Sequence, residues 1–131
     1  IDGRRLKLDQ DRTMQLIASR RQQAWAESYK RRAERLELEG RMQAPGRAAV
    51  AQGKASGKWN AMADVDALLV PPDLQGALQM GGGLDWWEDA APSNRRNVLR
   101  WIAGAKRAPT RAKRVGIVAD HAARGEKVPQ Y

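Results

Sequence analysis

The sequence predicts a mainly α fold: a small helical domain of about five short helices with an N-terminal β-hairpin. Three observations carry that reading. Apolar residues recur at three- and four-residue spacing over 24–39, 94–106 and 110–122. Proline and glycine punctuate the chain at the edges of those stretches, as at Gly40, Pro45, Pro71-Pro72, Pro92, Pro109 and Gly125. Two-residue alternation occurs only near the N-terminus.

The hairpin is read over Arg5 to Ser19. Leu6 and Leu8 alternate with Arg5, Lys7 and Asp9, and Met14, Leu16 and Ala18 alternate after Asp9-Gln10-Asp11-Arg12, which has turn chemistry. Ile17 breaks the alternation, which predicts a second strand covered on both faces. A lone hairpin is marginal and needs something to pack on. Ala24 to Glu39 reads as a helix with Trp25, Tyr29, Ala33 and Leu36 on one face and Gly40 as its stop. Pro45 opens a second helix through Ala48, Ala49 and Ala51, ending near Gly53 to Gly57, with Trp59 on the following loop. Ala61 to Val70 is read as helical or irregular. A short helix over Asp73 to Leu78 follows the prolines, and Gly81-Gly82-Gly83 reads as a flexible hinge or a helix terminus. Asp85 to Ala90 is a short helix carrying Trp86 and Trp87 on different sides. Ser93 is placed as the N-cap of a helix from Asn94 to Lys106, whose stripe is Val98, Trp101, Ile102 and Ala105. The last helix opens at Pro109-Thr110 and buries Val115, Val118, Ala119 and Ala122.

A chain of 131 residues fits one domain, taken as 1–131, with 1–20 the hairpin and 21–131 helical. Phe is missing, so the five Trp supply the bulky packing, with Trp25, Trp59, Trp87 and Trp101 expected as anchors of one core. Buried Trp usually finds an acceptor for its N–H. The absence of Cys excludes disulfides and thiolate chemistry. No apolar run approaches the roughly 20 residues that a transmembrane helix needs. The opening Ile1-Asp2-Gly3-Arg4 has no initiator Met and no secretory apolar region, which fits a processed or trimmed form.

Catalytic constellations are not legible. The one histidine, His121, stands beside Asp120 on the last helix and reads as structural. Asp85, Glu88 and Asp89 share a short helix, where the helix dipole and solvation explain acidic residues. Gly81-Gly82-Gly83 lacks the Gly-Lys-Ser/Thr ending of a phosphate loop. No cofactor and no metal site is expected.

The net charge of +9 and the pI near 10.6 predict attraction to polyanions. Arg95, Arg96, Arg100, Lys106, Arg107, Arg111, Lys113 and Arg114 fall in one stretch with no acidic residue between them. Arg96, Arg100, Lys106, Arg107, Arg111 and Arg114 are the candidate polyanion-binding set, with nucleic acid or a membrane surface as the anionic partner. Arg95 falls nearer the apolar stripe, so its stem is expected to pack. The competing reading is a solvated face whose Arg stems cover Trp and aliphatic groups.

Ser93-Asn94-Arg95-Arg96, Trp101-Ile102, Ala105-Lys106-Arg107, Thr110-Arg111 and Lys113-Arg114, closed by Gly125-Glu126-Lys127-Val128-Pro129-Gln130, together resemble the C-terminal motif of the YdeI/OmpD-associated, or bacteriocin-protection, family. Ile1-Asp2-Gly3-Arg4, Trp25, Gly40-Arg41-Met42, Gly57-Lys58-Trp59 and Val70-Pro71-Pro72-Asp73-Leu74 fall in family order, so the resemblance extends over nearly the whole chain. Trp87 stands where members usually carry Phe, and Ala108-Pro109 where Pro-Glu is common. The resemblance implies a segment upstream of residue 1 and an association with resistance to bacteriocins or cationic peptides and with stress. It supplies no catalytic residues. The resulting expectation is a non-enzymatic, basic bacterial protein, cytoplasmic, or periplasmic if a signal peptide precedes it. The competing function is a nucleic-acid-binding module using the surface from Arg95 to Arg114.

Overall fold

The computed structural model describes residues 2–18 and 23–129. Its elements run β1 (Asp2–Lys7), β2 (Thr13–Ile17), α1 (Glu27–Leu38), α2 (Ala44–Ala55), α3 (Ala63–Asp66), α4 (Pro72–Gly81), α5 (Leu84–Asp89), α6 (Pro92–Ala103) and α7 (Ala108–Ala123). The mainly helical fold with an N-terminal hairpin is therefore the one expected, with two of the helices, α3 and α5, only four and six residues long. Contacts divide the chain into two compact units, Ile1–Ala61 and Met62–Tyr131. The single domain expected over 1–131 spans both.

In the first unit β1 and β2 pair antiparallel, with Leu6 opposite Met14, Arg5 opposite Gln15 and Lys7 opposite Thr13. The turn forms because the Asp9 carboxylate replaces missing backbone partners. Its Oδ1 accepts from the Asp11 and Arg12 amides at 3.1 and 2.8 Å, and its Oδ2 accepts from Arg12 Nε at 2.7 Å. The expectation for the second strand is corrected: it is open rather than covered. Ile17 is 79% exposed and Leu16 48%. The break in alternation came from a side chain that faces water, not from a second buried face. Ser19 and residue 20 of the expected hairpin lie outside the described residues.

Helix α1 begins two residues after Trp25, which precedes the helix instead of joining its stripe. Ala33 is buried, while Tyr29 is 40% exposed. The closure at Gly40 is as expected. Its φ of 68° is one that other L-residues reach only at a cost, and the Gly40 and Arg41 amides bond back to the Glu37 and Leu36 carbonyls at 3.1 and 2.8 Å. Gly125 closes α7 in the same way. Helix α2 opens with Pro45 in its first turn, where a missing N–H costs nothing.

The second unit holds a contiguous core of Val65, Leu74, Leu78, Trp87, Val98, Leu99, Ile102, Val115, Val118 and Ala122. Helix α7 is its hub and packs against α4, α5 and α6. The four residues expected to be buried on α7 are all buried. The expectation of one shared Trp core is corrected: of the Trp expected as anchors, Trp25 is buried in the first unit and Trp87 in the second, whose core is otherwise aliphatic. Trp101 and Trp86 are only partly buried against it, and Leu99 takes the place that the stripe gave to Trp101. Trp87 has no acceptor for its buried Nε1 among the described residues, contrary to the usual rule.

The glycine run is a helix terminus, the second of the two expected readings. Gly81 ends α4, Gly82 adopts φ 75°, and Gly83 precedes α5 while its amide bonds to the Leu78 carbonyl at 3.0 Å. A Cβ on Gly83 would lie 2.7 Å from the Ala122 carbonyl carbon and 2.8 Å from the Ala123 nitrogen. Only a hydrogen fits between this turn and α7.

Ser93 is not the N-cap of α6. Ala91 occupies that position and Pro92 starts the helix, so the Ser93 hydroxyl makes no cap bond. Proline presets the first helical φ two residues before Asn94, where a serine cap would have started the helix. Ser93→Ala is therefore expected to change stability by less than about 0.5 kcal/mol, as exposed positions do. A loss near 1 kcal/mol in urea denaturation would restore the capping role.

Candidate functional site

Two places concentrate functional chemistry: the basic residues of α6 and α7, and a groove in the first unit.

The six basic residues do not form one free surface. Arg111 is clamped on Asp73 at the start of α4, with Nε–Oδ2 2.7 Å and Nη2–Oδ1 3.0 Å. This fork-to-fork geometry joins residues 38 apart in sequence. The Arg111 guanidinium holds the Asp73 carboxyl below its ordinary value, and Asp73 in turn raises Arg111. Arg114 lies over the Trp101 ring, 5.1 Å from its centre, and donates to the Trp101 carbonyl near the end of α6. Arg96 stands 3.8 Å from Asp66. Arg111 and Arg114, expected among the residues that face a polyanion, are half-buried, and each bonds to another helix. Arg100, Lys106 and Arg107 remain exposed and make no ion pair among the described residues. They span the short connection from α6 to α7. Arg95 is half-buried, as expected, and its buried Nε has no partner among the described residues.

Because Asp73 is lowered, its contribution is fully present above the unfolded carboxylate value near pH 3.9 and is lost as pH falls through the lower folded value. Asp73→Asn should cost about 1 kcal/mol at neutral pH, the upper end for an exposed pair with good geometry. The gap to wild type should close below about pH 4. A gap that persists at pH 2 in thermal melts would show that the effect is not the ion pair.

His121 Nδ1 lies 2.8 Å from the Ile117 carbonyl, one helical turn back, as a structural histidine would. Asp85, Glu88 and Asp89 are all exposed on α5.

The groove was not legible in the sequence. Its floor is Ala33 from α1, Met42 from the connection, Val50 and Ala51 from α2, and Trp59. Its rim carries Glu34, Glu37, Arg47 and Lys54, and it encloses about 320 Å³. Trp59, one of the lining residues, packs on Trp25. The Trp25 amide donates to the Lys58 carbonyl and the Trp59 amide to the Gly53 carbonyl, both at 3.0 Å. The rings then meet at 5.0 Å between centres, tilted by 44°. Gly53 permits this, since a Cβ there would fall 2.5 Å from Trp25 Nε1. Lys54 Nζ lies 5.0 Å and Lys30 Nζ 5.9 Å from the Trp59 ring centre. Lys30 is 8% exposed and reaches Glu27 at 3.5 Å. Across the rim, Arg47 Nε bonds both Glu37 oxygens at 3.0 and 3.1 Å.

Charge is distributed unevenly. The first unit has fourteen Lys or Arg against seven Asp or Glu, and so carries +7 of the total +9. The second unit, which holds the sequence-predicted basic set, is nearly balanced.

Residues 67–125 match the family described as bacteriocin-protection, YdeI or OmpD-associated. Residues 1–49 match a domain family of unknown function. No curated protein and no solved structure matches the chain. The family resemblance read from the sequence is therefore matched over the C-terminal part, within the second compact unit.

Proposed function

We propose, with the match of residues 67–125 to the bacteriocin-protection family as the premise, that this protein is a non-enzymatic bacterial factor associated with resistance to bacteriocins or cationic peptides, acting by binding. The observation that supports the reading is that the matched segment coincides with a compact helical unit having its own core. Two basic residues of that segment serve packing: Arg111 and Arg114 tie α7 to α4 and α6. The test is expression of the chain in a susceptible bacterial strain. A rise in the inhibitory concentration of a bacteriocin or cationic peptide is expected. An unchanged value, with folded protein present, overturns the reading.

A second reading rests on Arg100, Lys106 and Arg107, which stand exposed and without ion pairs around the α6–α7 connection. As a nucleic-acid-binding surface they would give affinity that falls steeply with salt, because each phosphate contact releases counterions. Arg100→Glu with Lys106→Glu and Arg107→Glu removes that surface without touching the Arg111 and Arg114 contacts. Tight DNA binding at about 0.15 M salt, abolished by the triple reversal, would place this reading first.

A further inference from the structure

The groove of the first unit has a consistent chemistry. Ala33, Met42 and Val50 make it apolar along its length, and a volume of about 320 Å³ suits one small organic molecule. Of the two cations on its rim, Arg47 is already neutralised by Glu37. Lys54 is exposed, positioned against the Trp59 ring, and has no carboxylate partner among the described residues. The surrounding unit carries +7, which favours anions and disfavours cations. Glu34, which also lines the groove, has no cation partner among the described residues, so a second negative charge on a ligand would be repelled.

We propose that this groove is a binding site for a small amphipathic monocarboxylate, with its apolar body on Ala33, Met42 and Val50 and its carboxylate on Lys54. The site lies outside the segment on which the proposed resistance role rests, and the two stand or fall separately.

The probes are 3-phenylpropanoate, 3-phenylpropanol and 3-phenylpropylamine, titrated into the full chain at neutral pH and followed by calorimetry. The acid is expected to bind most tightly and the amine least. Lys54→Met keeps the stem and removes the charge, and should weaken the acid about tenfold, as loss of one charged contact does, while leaving the alcohol unchanged. Glu34→Gln should tighten the acid. Ala51→Leu, which fills the groove from α2, should block all three. Near-ultraviolet circular dichroism checks that the Trp25–Trp59 pair is intact in each variant, and Lys54→Gln replaces Lys54→Met if the latter disturbs it. Equal binding of acid and amine, undiminished binding by the Lys54 variant, or no binding of the acid overturns the proposal.

Discussion

Gly83→Ala will destabilise the second unit by roughly 3 kcal/mol, at the upper end for overpacking. The residue has φ −98°, which alanine adopts freely, so the cost is steric and not conformational. What the new methyl meets is α7 backbone at 2.7 and 2.8 Å, and backbone cannot rotate away as a side chain tip can. Either α5 moves outward with Trp87, or α7 shifts along its contact with α4. Gly82→Ala is the internal control. Gly82 has φ 75° and open space around it, so its cost is conformational only, about 1 kcal/mol. Urea midpoints should therefore fall further for position 83 than for position 82. The reverse order would mean that the turn and α7 are not in close contact.

Trp87→Ala is the second large effect, expected at roughly 3–5 kcal/mol. Trp87 is 1% exposed and lies in the one contiguous core of its unit. The informative comparison is Trp87→Phe. Tryptophan's Nε1 is buried there with no acceptor, so the native side chain carries a desolvation penalty that phenylalanine lacks. The smaller ring leaves some volume empty, but relief of that penalty offsets part of the loss, and Trp87→Phe should cost no more than about 1–2 kcal/mol. If Phe is as damaging as Ala in equilibrium denaturation, the indole N–H has an acceptor in solution and the penalty does not exist.

Local signals in the chain were legible where one residue settles the matter. Gly40 and Gly125 announced helix ends because almost no other residue reaches their φ cheaply. Val115, Val118, Ala119 and Ala122 were readable as a buried face because α7 is long enough for its period to repeat. Ser93 misled because two good helix starters stand side by side, and Pro92 forms the first turn without needing a cap. Trp101 misled because period places a side chain on a side of the helix but does not say how far the core extends; an Arg114 guanidinium, thirteen residues on, covers its ring instead. The clamp of Arg111 on Asp73 and the groove between α1 and α2 depend on how helices meet, which no window of local sequence contains. Charge can be counted in sequence, but the Asp73 carboxylate and the Trp101 carbonyl that engage Arg111 and Arg114 come from other helices, while Arg100, Lys106 and Arg107 stay exposed.

The hairpin bears on the lifetime of the chain. It exposes Leu8, Met14, Leu16 and Ile17, and its turn is held by the Asp9 carboxylate and by two amides on the Arg12 carbonyl, all at the surface. Water can therefore replace its internal bonds piecemeal, and the segment opens by itself far more often than a helix packed on a core. A protease that cuts after arginine needs several extended residues to slide into its cleft. Arg12, at the end of the turn and 77% exposed, gives it those residues on each brief opening. Under limiting trypsin, scission between Arg12 and Thr13 will precede scission after Arg96, Arg100 or Arg114, whose helices must come apart first.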